Sequence, residues 1–184
     1  VGFATGSQTI LIGSMLVSPI GAVVIDTANE ISGSMPTRSS SQEKLLTLMR
    51  LMIVPFTMGL LTGLVKEPED DSALMGMGQG LRESPVHLLA SFIVATCGGV
   101  AVKSAAGHNP APGIGVGIAT SLLPPLTAAG YISGRIIVNQ PGYTWNDVGY
   151  SLGNFFLNVM GVSIGVMAVD EAMRRSENSP LLTK

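Results

Sequence analysis

Five stretches of this chain carry no Asp, Glu, Lys or Arg: residues 1–25, 51–65, 84–102, 104–134 and 148–169. Crossing the hydrocarbon core of a bilayer takes about 20 mostly apolar residues in a helix. Four of the windows reach or approach that length, and the fifth reaches it if Arg50 snorkels to the interface. Only 12% of the 184 residues are charged, about half the fraction usual in a soluble domain. A soluble fold would have to bury several helices that are apolar all round, in a chain too short to cover them. The sequence therefore predicts an all-α integral membrane protein whose main partner is the lipid bilayer.

The windows define a single transmembrane domain over 1–184, with spans at about 9–25, 45–65, 85–102, 113–132 and 148–169 and a tail over 170–184. No basic region precedes 1–25, so that segment reads as a span and not a signal peptide. The connections are polar. Residues 26–44 are Ser-rich and read as loop leading into a helix start. Residues 66–84 are acidic and then Gly/Met-rich, which suits a short interfacial helix. Residues 135–147 contain a Pro-Gly turn, after which Tyr143, Trp145 and Tyr150 cluster as an interfacial aromatic belt would. Alternate crossings collect Arg38, Lys44, Lys103, Arg174, Arg175 and Lys184 on one side, against Lys66, Arg82 and Arg135 on the other. The positive-inside rule then makes the C-terminal tail cytoplasmic. A net charge of −2 argues against a nucleic-acid partner.

Two of the spans contain helix-breaking prolines. "IGSMLVSPIGAV" (12–23) aligns with "IATSLLPPLTAA" (118–129) at Ile12/Ile118, Leu16/Leu122, Pro19/Pro125 and Ala22/Ala128. The two segments would run in opposite directions, so the match suggests an inverted repeat with two proline-interrupted helices. Paired interruptions of that kind point to a transport site. Pro19 cannot donate to the carbonyl of Met15, nor Pro124 and Pro125 to those of Thr120 and Ser121. In lipid such carbonyls need protein, hydroxyls or water around them. Ser14, Ser18, Thr120 and Ser121 are the nearby hydroxyls. A simple kink healed by neighbouring helices is the competing reading.

"GSMLVSPIGAVV", "GIGVGIATSLLPPLTAAG" and "NFFLNVMGVSI" together resemble the membrane family called domain of unknown function 389. The resemblance rests on Gly13, Met15, Leu16 and Pro19, on Leu122, Pro124, Pro125, Leu126 and Gly130, and on Phe156, Leu157 and Asn158. It departs at 20–23, where family members often carry a second proline. What it implies is a multi-spanning, all-helical membrane protein, with no assigned function.

Asn154 and Asn158 share one helical face of the fifth span and suit either interhelical hydrogen bonding or substrate contact. Gly149, Gly153, Gly161 and Gly165 recur every four residues or multiples of four. With the GxxxG pair Gly59 and Gly63, they predict tight helix packing, within the chain or across a homo-oligomer. Cys97 reads as a buried, inert thiol. His87 and His108 sit at span edges. Arg50 can snorkel or pair with Asp26 or Glu30. "GYISG" (130–134) lacks the spacing of a serine protease motif, and "ENSPLL" has the form of a sorting signal. No metal-binding motif, catalytic pair or nucleotide loop occurs, so no enzyme, cofactor or metal is expected. Two functions remain. One is a transporter or channel for a small solute or ion, with its site between the first and fourth spans: Ser14, Ser18, Pro19, Thr120, Ser121, Pro124, Pro125, Asn154 and Asn158. The other is a structural protein that assembles through its glycine faces.

Overall fold

In a computed structural model, the residues described are 20–33, 41–65, 85–105 and 113–177. They form five helices: α1 (Ile20–Ile31), α2 (Ser41–Val65), α3 (Pro85–Ala105), α4 (Gly113–Ile137) and α5 (Trp145–Glu177). No strand occurs among them. Two helices are long and apolar enough to cross a membrane, Leu46–Val65 and Trp145–Ser176; Leu88–Ser104 is apolar but shorter. Only 11% of the Leu46–Val65 stretch is buried. Met49, Ile53, Val54, Met58 and Leu61 all point outward from it, an apolar surface that water would disfavour. Several hydroxyls on these helices are satisfied within their own helix. Thr57, Thr62, Thr96 and Ser163 donate to the carbonyls of Ile53, Met58, Phe92 and Val159, four residues back.

Helix directions follow from the contacts. Gly59 and Gly63 of α2 meet Thr127, Tyr131 and Gly134 of α4 in the same order along both chains, so α2 and α4 run parallel. Gly161 and Gly165 of α5 meet Ala95, Thr96 and Gly99 of α3 in the same way. In contrast, Leu122 and Leu126 of α4 share a cluster with Phe155, while Ala129 and Ile132 share one with Val148. That pairing makes α4 and α5 antiparallel. The end of α1 lies beside the ends of α3 and α5, through Asn29 and Ser32. Three helices thus end on one side and two on the other.

Both parallel crossings are glycine seams. A Cβ added at Gly59 would overlap the Thr127 carbonyl oxygen and lie 3.0 Å from the Tyr131 nitrogen. At Gly130 it would overlap the Phe56 carbonyl, and at Gly63 it would lie 3.2 Å from the Cα of Gly134. Gly59-x-x-x-Gly63 therefore faces Gly130-x-x-x-Gly134, and "GYISG" is a packing motif. A Cβ added at Gly165 would overlap the Thr96 carbonyl and lie 2.8 Å from the Val100 nitrogen, while one at Gly161 would abut the Ala95 methyl at 3.0 Å. Gly149 and Gly153 differ: nothing stands within 4 Å of a Cβ at either, and both face outward. The expected stripe of packing glycines on α5 is thus divided by position, because α3 reaches only its second half.

Several expectations need correction. Helix α1 continues through Asp26–Glu30, assigned above to loop, ends at Ile31 and is followed by Gly33 with φ 74°. Glycine takes that left-handed conformation without strain. Helix α4 is continuous through Pro124 and Pro125 and does not break there. Both prolines are buried with Leu122 and Leu126, and surrounding helices hold the segment helical despite two missing donors. Pro55 is likewise carried inside α2. Cys97 is exposed on α3, not buried, since the inner face of that helix belongs to Ala95 and Gly99. Helix α4 ends at Ile137 and is capped by Asn139, φ 57°, whose nitrogen donates to the Ile136 carbonyl while that of Gln140 donates to the Arg135 carbonyl. This is a Schellman cap. Helix α5 starts with a capping box in which Asp147 accepts from the Thr144 nitrogen and hydroxyl, both at 2.8 Å.

Gly130→Ala should lower stability by about 1–3 kcal/mol, because two backbones must part. Gly153→Ala should raise it by about 0.5–1 kcal/mol through helix propensity alone. Thermal unfolding of the two purified variants in mild detergent measures the contrast.

Candidate functional site

Among the described residues, α5 carries most of the buried polar side chains. Asp147, Ser151, Asn154, Asn158 and Asp170 are all buried on a helix otherwise dominated by apolar residues. The spacing explains it: positions 151, 155, 158 and 162 advance by four, three and four, which keeps them on one face, and 154 lies beside 155. Val148, Leu152 and Phe155 turn this face to α4. Asn158 turns it to α3, accepting a hydrogen bond from the Ser91 hydroxyl at 2.9 Å. Asn158 also lies near the middle of the Trp145–Ser176 stretch.

Two atoms on this face stand out. Ser151 Oγ and Asn154 Oδ1 are buried and have no hydrogen-bond partner. Ser151 is wholly buried and Asn154 is 8% exposed. Ser133 and Ser163 satisfy their hydroxyls on the carbonyl four residues back, but Ser151 does not. An unpaired buried polar group costs about 1–3 kcal/mol, so two on one helix face need a reason. The contacts of Leu122 and Leu126 with Phe155 bring the proline-bearing part of α4 to this depth. The Thr120 and Ser121 carbonyls, which lack helical donors, belong to that part of α4.

Below Asn158 the face turns dry. Val162 and Val166 are wholly buried. About 18 Å beyond Asn158, at the helical rise of 1.5 Å per residue, comes Asp170. Its carboxylate pairs with the Lys103 ammonium of α3 at 2.7 Å, with side chains 6% and 13% exposed. Lys103 also donates to Asn29 Oδ1 of α1 at 2.6 Å. Ser32 donates to Asp170 Oδ2 at 2.5 Å and to the Asn29 carbonyl at 2.9 Å. Three helix ends are thus tied by one charged cluster. Beside it opens a cavity of about 750 Å³, lined by Ile31, Lys103, Met167, Asp170, Glu171 and Arg174 among others. Glu171 is matched by Arg174 and Arg175 on its own helix. At the opposite end Arg135 is buried and reaches the Gly63 carbonyl, while Tyr131 and Tyr143 meet edge to face at 6.4 Å. Trp145 and Tyr150 are exposed nearby in sequence.

Of the residues named from sequence, Asn154 and Asn158 lie on this interior face, with Pro124 and Pro125 buried on the neighbouring α4. Thr120 and Ser121 lie in α4, but their side chains are outside the described residues, as is that of His87. Ser14, Ser18, Pro19, His108, residues 12–19 of the repeat's first half, the segment 66–84 and "SPLL" also lie outside them. Arg50 is exposed on α2. Sequence reasoning missed Ser151, Asn29 and the Lys103–Asp170 pair. Its signal was present: Lys103 is the single charge between Glu83 and Arg135, and a lone cation in such a run calls for a carboxylate partner. Among the described residues no three His, Cys, Asp or Glu side chains gather as metal ligands would.

An all-helical bundle is the class these features define: two of its described helices are long and apolar enough to cross a membrane, and one of those carries buried polar groups. The chain belongs to the DUF389 family: the model described as "Domain of unknown function (DUF389)" matches residues 15–164. No curated protein and no solved structure matches the chain.

Asp170→Leu should destabilise the protein by about 3–5 kcal/mol, because it strands a buried ammonium. The double variant Lys103→Leu/Asp170→Leu should recover much of that loss. Unfolding of the three proteins under one condition is the check. Equal stability of the single and double variants would show that the pair is solvated.

Proposed function

We propose that this chain is a multi-pass membrane protein that moves a small solute or ion along the α4-facing side of α5, with its C-terminal tail in the cytoplasm. The observation that carries the reading is the pair of buried, unpartnered polar atoms, Ser151 Oγ and Asn154 Oδ1. They lie one to two turns from Asn158, near the middle of an apolar helix. Polar groups inside a membrane bundle are costly and mark pathways, and transporter sites favour the midplane. The alternating helix directions are those a chain crossing the bilayer at every helix would have. The proline-freed carbonyls of α4 add acceptors of the kind such sites use. The expected partner of α4 in the site, the first span, contributes through its described part Val24 to the shared core, with Ile25 packed against it.

A second reading keeps the protein structural, assembling as a homo-oligomer. It is favoured by the open glycines Gly149 and Gly153, which leave a groove on α5 with nothing against it. Crosslinking in native membranes separates the two, since the groove is lost in Gly153→Leu.

Reconstituted into liposomes, the wild type should give flux of a small ion or solute. Asn154→Leu and Asn158→Leu should reduce it at least tenfold while the protein still elutes as a folded species. Unchanged flux in a folded Asn154→Leu protein would overturn the reading.

A further inference from the structure

The charged cluster at the ends of α1, α3 and α5 has the composition of a cation site. Two oxygens from different helices contact the Lys103 ammonium directly: Asp170 Oδ1 at 2.7 Å and Asn29 Oδ1 at 2.6 Å. A third, Ser32 Oγ, is held against the carboxylate at 2.5 Å. All three are hard oxygen donors, and their summed charge is a single negative one. That balance suits a monovalent cation; a divalent ion takes more carboxylate charge. The cluster also sits in the last turns of α1 and α3, where the helix dipoles favour positive charge. Glu171, the other carboxylate at the cavity, is already matched by Arg174 and Arg175. Asp170 is therefore the carboxylate left for the cage.

What occupies this cage is an ammonium on a flexible four-carbon stem, and the cavity of about 750 Å³ is lined by both Lys103 and Asp170. A side chain that can swing away from a carboxylate bordering an open cavity can exchange with a free cation of similar size. We propose that Asp170, Asn29 and Ser32 form a monovalent-cation site entered from this cavity, and that the Lys103 ammonium fills it here as a tethered cation. Binding of a free ion releases Lys103 and unties α3 from α1. The inference does not rest on the transport reading: a cation can bind here in a protein that moves nothing. Flux past Asn154 can likewise occur with the cage closed.

The test is thermal unfolding of the full chain in detergent, titrated with Na⁺, K⁺ or methylammonium against N-methylglucamine at constant ionic strength. Lys103→Ala empties the cage, and Lys103→Gln empties it of charge while keeping an amide donor for folding. Both should gain about 5 °C or more on saturation with at least one small cation. Lys103→Ala/Asp170→Asn should gain nothing. A flat response of both single variants overturns the proposal, as does an equal response of the double variant. Failure of both single variants to fold in every cation overturns it too, because a cage open to external ions would be refilled.

Discussion

The close approach of backbones at two glycine seams is the constraint on which the bundle depends. Lipid tails are as apolar as leucine, so helices in a bilayer gain little by hiding apolar surface from one another. Contact distance decides instead. At Gly59, Gly63 and Gly130 the space for a side chain is taken by backbone of the facing helix. The same holds at Gly99 and Gly165. Each seam joins parallel helices, α2 to α4 and α3 to α5. The two pairs then meet through larger side chains, Leu122, Leu126 and Phe155, which fill the space that glycine leaves.

That arrangement explains why polarity concentrates on α5. With α3 pressed against its second half and α4 crossing its first half, α5 has a continuous interior face. Polar residues on that face are enclosed by the neighbouring helices. Elsewhere the hydroxyls fold back on their own helices, as at Thr57, Thr62 and Ser163. Ser151 and Asn154 break this pattern inside the bundle, where an unmet hydrogen bond weighs most. The dry valines at 162 and 166 separate them from the charged cluster at Lys103 and Asp170. The face is thus polar, then apolar, then ionic along its length.

Much of this was legible in the sequence. Charge-free windows overlap α2 to α5 along most of their length but α1 only at its start, and the spacing of Asn154 and Asn158 put them on one face. GxxxG spacing found Gly59, Gly63, Gly161 and Gly165, but it could not separate them from Gly149 and Gly153. The pattern states which residues could pack closely and not how far the neighbouring helix extends. The prolines misled for a related reason. Pro124 and Pro125 would end an isolated helix, but tertiary packing holds α4 helical through them. The Lys103–Asp170 pair was hidden because the partners lie on different helices, each just past the end of a charge-free window. Asp26 and Glu30 made the end of α1 look like a loop, although its polar residues include Asn29 of the cluster.

Alternate crossing of the bilayer is the claim beneath all of this, and side-specific labelling tests it most directly. In a Cys97→Ser background, Asn139→Cys probes the turn between α4 and α5, and Ser176→Cys probes the far end of α5; both parent residues are exposed. A membrane-impermeant maleimide applied to intact cells should modify the cysteine at 139 and spare the one at 176 until the membrane is opened. Equal labelling of both from the outside, or of neither, would contradict a bundle in which α5 crosses from one face of the membrane to the other.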